Sequence, residues 1–105
     1  MQEVTTETEQ QLDGMLRVAG VARKASYASG EVQKILGISE RTFRRMVSAY
    51  EPDPLTGRLR TPACLDSYML NRSRRVRYDE LAAYLQRNQT WERTNADPNQ
   101  LELFD

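Results

Sequence analysis

The chain is 105 residues long, enough for one domain with tails but not for two independent cores, and no apolar run approaches the roughly 20 residues of a membrane helix. One cysteine and no histidine exclude an intrachain disulfide and a tetrahedral zinc site, so no metal or cofactor is expected and the chain reads as a reduced, cytoplasmic protein. Its net charge of zero conceals a segregated layout: residues 1–13 and 94–105 hold seven acids and no base, whereas residues 14–93 hold all 15 bases against eight acids, a net of +7.

Residues 1–11 are polar and lack the basic and apolar regions of a signal peptide; they are expected to be disordered. From Leu12 to Ala25 the spacing of Leu12, Met15, Leu16, Ala19 and Ala22 predicts a helix, against which Gly14 and Gly20 each cost about 1 kcal/mol relative to alanine. A second helix should bury Val32, Ile35 and Leu36 and stop at Gly37, which suits the left-handed position that follows a helix. After a three-residue hinge, Ser39 stands at the N-cap of a third helix, with Ile38 and Phe43 in the positions of a hydrophobic staple. At about 100° per residue, Phe43, Met46, Val47 and Tyr50 fall on one side of that helix and Arg41, Arg44, Arg45 and Ser48 on the other. One side can be buried, and the other is a basic edge.

The run Glu51-Pro52-Asp53-Pro54 ends the third helix, because each proline lacks an N–H and restricts the residue before it. Alternation in Arg58-Leu59-Arg60 and in Arg75-Val76-Arg77 predicts two short strands joined by a long basic loop. Asp79 opens a last helix, with Leu81, Tyr84 and Leu85 on one face and Asp79 and Glu80 at the positive end of its dipole. Trp91, just after that helix, is expected to pack the root of a polar tether against the core.

The predicted fold is therefore mainly α with a small β-hairpin, a winged helix-turn-helix. Residues 1–26 form an acidic tail and an N-terminal helix, 27–90 the winged helix-turn-helix domain, and 91–105 a flexible acidic C-terminal tail. Such a unit sets the first half of its second helix in the major groove of DNA, where arginine reads guanine or grips phosphate. The candidate DNA-binding residues are Ser39, Arg41, Thr42, Arg44, Arg45 and Ser48, with Arg58, Arg60, Arg72, Arg74, Arg75 and Arg77 reaching the flanking backbone from the hairpin. The Thr42 hydroxyl either holds a phosphate or satisfies a backbone group in the first turn. A unit this small reads few base pairs, so useful specificity requires self-association on DNA.

The motifs Tyr27-Ala28-Ser29-Gly30-Glu31-Val32, Leu36-Gly37-Ile38-Ser39, Thr42-Phe43-Arg44-Arg45 and Val76-Arg77-Tyr78-Asp79-Glu80-Leu81 resemble the excisionase-like and MerR-like helix-turn-helix family over residues 27–88. The resemblance implies DNA contacts by Arg41, Thr42, Arg44 and Arg45, backbone contacts by Arg74 and Arg75, and a role in transcription regulation or site-specific recombination. The chain departs from the family pattern in two places. Ala28 stands where a Ser or Thr cap is usual, so that Ser29 must cap or the helix end frays. The segment 51–74 is also far longer than the usual link to the wing. With no room for a long dimerising helix and effector domain, the resemblance favours a small excisionase-type protein.

Catalysis finds little support. The tyrosines 27, 50, 68, 78 and 84 have no histidine and no close carboxylate cluster to activate them, and Cys64 has no base to lower its pKa, so it reads as a buried or idle thiol. The rival class is a protein-interaction adaptor, in which the basic face is merely solvated. Its active element would be the C-terminal Gln100-Leu101-Glu102-Leu103-Phe104, which resembles the short peptide by which bacterial replication and repair proteins bind the sliding clamp. The resemblance implies that Gln100, Leu101, Leu103 and Phe104 contact that partner; the plainer alternative is a tail docked on its own domain. For a tethered peptide, deleting Gln100 to Asp105 leaves the melting temperature unchanged and abolishes clamp binding. For a docked tail, the melting temperature drops by several degrees, since each large apolar side chain contributes about 1.5–3 kcal/mol when buried.

Overall fold

Tyr27 and Val76, both fully buried, sit opposite each other in adjacent strands, and the rest of the chain is arranged around that pair. In the computed structural model, which describes residues 4–95 and side chains from 4 to 89, four helices accompany a three-stranded antiparallel sheet. The elements are α1 (Thr6–Ala19), β1 (Ser26–Ala28), α2 (Ser29–Leu36), α3 (Glu40–Ser48), β2 (Tyr68–Leu70), β3 (Ser73–Arg77) and α4 (Tyr78–Asn95). The strand order is β1-β3-β2. One face of the sheet meets α2 and α4, and α1 lies against both of those helices. No described helix is long and apolar enough to cross a membrane.

The N-terminal helix begins six residues earlier than its apolar spacing indicates, within the stretch expected to be disordered. Thr5 caps it by accepting from the Thr8 N–H at 3.2 Å, and Glu7 and Glu9 lie at its positive end. Thr8 is buried and its hydroxyl donates to Gln86 Oε1 of α4 at 2.6 Å. A long-range polar contact thus orders a segment that composition assigns to disorder. The helix also ends earlier, at Ala19, because Gly20 adopts φ +72° and lets Val21 and Gly20 donate back to Leu16 and Arg17. Leu12 and Leu16 are buried as their spacing requires, while Ala22 is outside the helix and exposed.

β1 has no counterpart among the elements predicted from sequence, and it changes how α2 starts. Ala28 is the N-cap residue and offers no side-chain acceptor; Glu31 Oε1 instead accepts from the Ala28 N–H at 3.0 Å. The expectation that Ser29 must cap or the end must fray is therefore corrected: Ser29 is the first helical residue, and the carboxylate three positions after Ala28 does the capping. Glu31 also takes a 2.6 Å hydrogen bond from Lys24 Nζ. Val32 and Ile35 are buried and Leu36 partly so, and Gly37 closes the helix at φ +67° with Ile38 N–H donating to Gln33 O.

The hairpin is real but its first arm is elsewhere. Arg58-Leu59-Arg60 forms no strand; Leu59 makes one isolated bridge to Pro52. That loop folds on itself, with Asp53 Oδ1 accepting from Leu55 and Thr56 and Asp53 N–H donating to Arg58 O at 2.8 Å. The partner of β3 is β2, joined to it by Asn71 and Arg72 alone, with φ of +50° and +68°, the geometry of a type I′ turn. Between loop and hairpin, Cys64 and Leu65 are fully buried, and Leu65 N–H donates to Met46 O at the end of α3. Burial pushes the Cys64 thiol up.

The last helix grips this connection. Arg87 donates to Cys64 O at 2.9 Å and to Glu80 at 3.0 Å, Asn88 donates to Pro62 O at 3.1 Å, and Glu80 accepts from the Asp66 N–H at 2.8 Å. α4 continues to Asn95, so Trp91 lies within it rather than just after it, and the segment read as a tail from residue 91 starts as helix. At its other end Tyr78 donates to Asp13 of α1 at 2.9 Å; burial first and that bond second push its hydroxyl up to about 12.

Glu31 generates a pH prediction. Its hydrogen bond from Lys24, then that from Ala28, hold its carboxyl below the ordinary 4.5. A depressed carboxylate contributes stability that is present above the unfolded pKa and lost as pH falls through the folded one. Glu31→Gln should therefore flatten the fall in urea midpoint between about pH 5 and pH 3. An unchanged acid limb would assign that loss to other carboxylates.

Candidate nucleic-acid interface

Ser39, just before α3, accepts from the Thr42 N–H at 3.2 Å and donates its own hydroxyl proton to Thr42 Oγ1 at 3.1 Å. This cap, together with Ile38 packed against the core, sets where the helix begins. Phe43 and Met46 are buried and Val47 is half-buried, whereas Arg41, Arg44, Arg45 and Ser48 are exposed. The two faces expected from the spacing are thus present. The Thr42 hydroxyl accepts from the Ser39 side chain, which is neither a backbone group nor a phosphate, while the Thr42 N–H is the group that Ser39 caps.

The arginines on that face differ in their freedom. Arg44 pairs with Glu40 one turn back at 2.8 Å, both side chains being well exposed, so the pair contributes only a few tenths of a kcal/mol, about 0.3–0.5. Arg41 and Arg45 have no carboxylate partner among the described residues. An exposed, unpaired guanidinium offers its N–H groups to any incoming anion.

The remaining candidates divide between two places. Arg58 and Arg60 line an open cleft of about 770 Å³ formed by the loop after α3, which also contains Glu51 and Asp53. They are not on the hairpin, contrary to expectation, and their surroundings are of mixed charge. Arg72, Arg74, Arg75 and Arg77 do lie on the hairpin. Arg72 is at its tip, Arg74 donates to Ser67 Oγ at 2.6 Å, and Arg77 stacks 4.2 Å above the Tyr68 ring. Arg75 is half-buried and donates from Nε to the Ser26 hydroxyl at 2.9 Å and from Nη2 to the Ser26 carbonyl at 3.1 Å. It ties β1 to β3, and its role is first of all structural.

Gln100, Leu101, Leu103 and Phe104 lie outside the described residues. Two groups that matter escaped sequence reasoning. Arg87 with Glu80 and Asn88 holds the long connection in place, and Arg23 with Lys24 lies beside the hairpin, as described below. Arg87 and Glu80 are seven residues apart on one helix, a spacing of two turns that puts both on one face; nothing local in the sequence ties them, or Asn88, to residues 62–66.

Set against known proteins, the chain matches no family model, no curated protein and no solved structure.

Arg72 carries a further prediction. A side chain in the left-handed region costs about 1–2 kcal/mol, and type I′ turns favour glycine at this position. Arg72→Gly should raise the unfolding free energy by about 1 kcal/mol, read as a higher urea midpoint at constant slope. A fall in stability would show that the arginine makes contacts that outweigh its backbone strain.

Proposed function

We propose that this protein is a non-catalytic double-stranded DNA-binding protein, a winged helix-turn-helix of the excisionase type, acting in transcription regulation or site-specific recombination. The observation that carries the reading is α3. It is short, capped at Ser39 and led by a tight glycine turn, with an apolar face sunk in the core and Arg41, Arg44 and Arg45 on the exposed face. A helix held in this way enters the major groove with its first two turns, where Arg44 and Arg45 meet base edges and Arg41 meets the backbone. The hairpin, with Arg72 and Arg74 at and beside its tip, serves as the wing and neutralises flanking phosphates. Residues 14–93, with their net +7, supply the long-range attraction that speeds encounter with a polyanion.

The roles separate experimentally. A mobility-shift titration with random duplex should give binding in the micromolar range or tighter at low salt, with a log–log salt slope of about −0.9 for each phosphate neutralised. Arg44→Ala and Arg45→Ala should each weaken a preferred site by about 1–3 kcal/mol and blunt discrimination between sequences, whereas Arg74→Ala should weaken all sequences alike. Salt-independent association, or none at low ionic strength, overturns the reading.

A further inference from the structure

A second cleft lies at the base of the hairpin, where Arg23 and Lys24, which no part of the proposed interface uses, stand beside Arg77. Tyr27 and Val76 point into the core, so by strand alternation their neighbours Ser26, Arg75 and Arg77, with Tyr68 opposite Arg75, share the outer face of the sheet. The connection between α1 and β1 brings Arg23 and Lys24 alongside. Arg23, Lys24, Tyr68, Arg77, Tyr78 and Asp79 line a cleft of about 600 Å³.

Each cation there rests on a tyrosine. Arg23 lies 4.5 Å above Tyr78, Arg77 4.2 Å above Tyr68, and Lys24 5.5 Å from the centre of the Tyr27 ring. Stacking fixes the plane of a guanidinium while leaving its N–H edge available. Three carboxylates bear on the cleft: Asp13 reaches Arg23 at 3.4 Å, Glu31 reaches Lys24 at 2.6 Å, and Asp79 lines it. The Arg23–Asp13 pair is long and its arginine is 60% exposed, so a phosphate competes with it easily. Arg77 has no carboxylate partner among the described residues.

We infer that this cleft is a second contact for duplex DNA, in which Arg23, Lys24 and Arg77 hold backbone phosphates beyond those reached by the hairpin tip. The inference rests on the DNA-binding reading above. The chemistry fits phosphate rather than an unstacked base, because Tyr78 is buried and the Tyr68 ring is already covered by Arg77. Distance fits too: β3 runs from Ser73 at the tip to Arg77 at the cleft, about 13 Å at roughly 3.3 Å per residue. That is a span of about four base-pair steps, so tip and cleft address different phosphates.

The test is a salt titration of the full chain on a random duplex of about three helical turns, read by fluorescence anisotropy. Arg23→Gln and Lys24→Gln should each reduce the salt slope by about 0.9, Arg23→Lys should retain it, and Arg23→Gln should keep the parent melting temperature. If both glutamine variants keep the parent slope and affinity while Arg45→Ala weakens binding, the cleft inference is overturned and the DNA reading stands. If the unaltered protein shows no salt-dependent duplex binding, both fail.

Discussion

The pairing of Tyr27 with Val76 governs the geometry of everything else. β1 passes straight into α2, and β3 passes straight into α4, with no intervening residue. Clamping the two strands together therefore fixes the starts of two helices with one ladder. α3 follows α2 by a turn whose angle is set by Gly37, and β2 hangs on the other edge of β3. The exposed arginines of α3 and the hairpin tip are thus positioned relative to each other in part through this buried pair, supported by the Arg75 bonds to Ser26 and by Leu65 N–H donating to Met46 O. Either ring or methyl groups at these two positions must be packed on all sides for the basic surface to keep its shape.

Local signals in the sequence were legible where the structure is local. Ser39 as cap, Gly37 as stop, the buried face of Phe43 and Met46 and the exposed arginines opposite are all found as read, because capping chemistry and a 3.6-residue period are properties of one helix. The expectations that failed depended on partners far away in the chain. Three alternating residues at 58–60 look like a strand, but a strand needs an edge to pair with, and the edge of β3 is taken by β2 two residues upstream. Ser26–Ala28 reads as the prelude to a helix until Val76 is beside it. The order in residues 6–11 is tied to Gln86, 78 positions from Thr8.

The same contrast explains the long connection between α3 and the hairpin. By composition it is a loop, yet Cys64 and Leu65 belong to the core, and the three residues Glu80, Arg87 and Asn88 satisfy its backbone from α4. The Arg87–Glu80 pair is largely withdrawn from water, with side-chain exposures of 21% and 14%. Burial opposes the guanidinium's charge, and the hydrogen bonds to Glu80 more than offset it, so its pKa is raised on balance. A buried pair of this kind adds little net stability, but removing one partner leaves a costly lone charge. It gives the connection a single path.

The loop from Pro52 to Leu59 has a different character. Its two ends are bridged, Asp53 satisfies its own turn, and Leu55 at its crest is 94% exposed. Since the bridge already brings the ends together, the chain on either side scarcely registers how many residues lie between them. Closure entropy grows only slowly with loop length, so this crest is where the protein can accept foreign sequence, whether a peptide tag or a whole domain, without the core being aware of the guest.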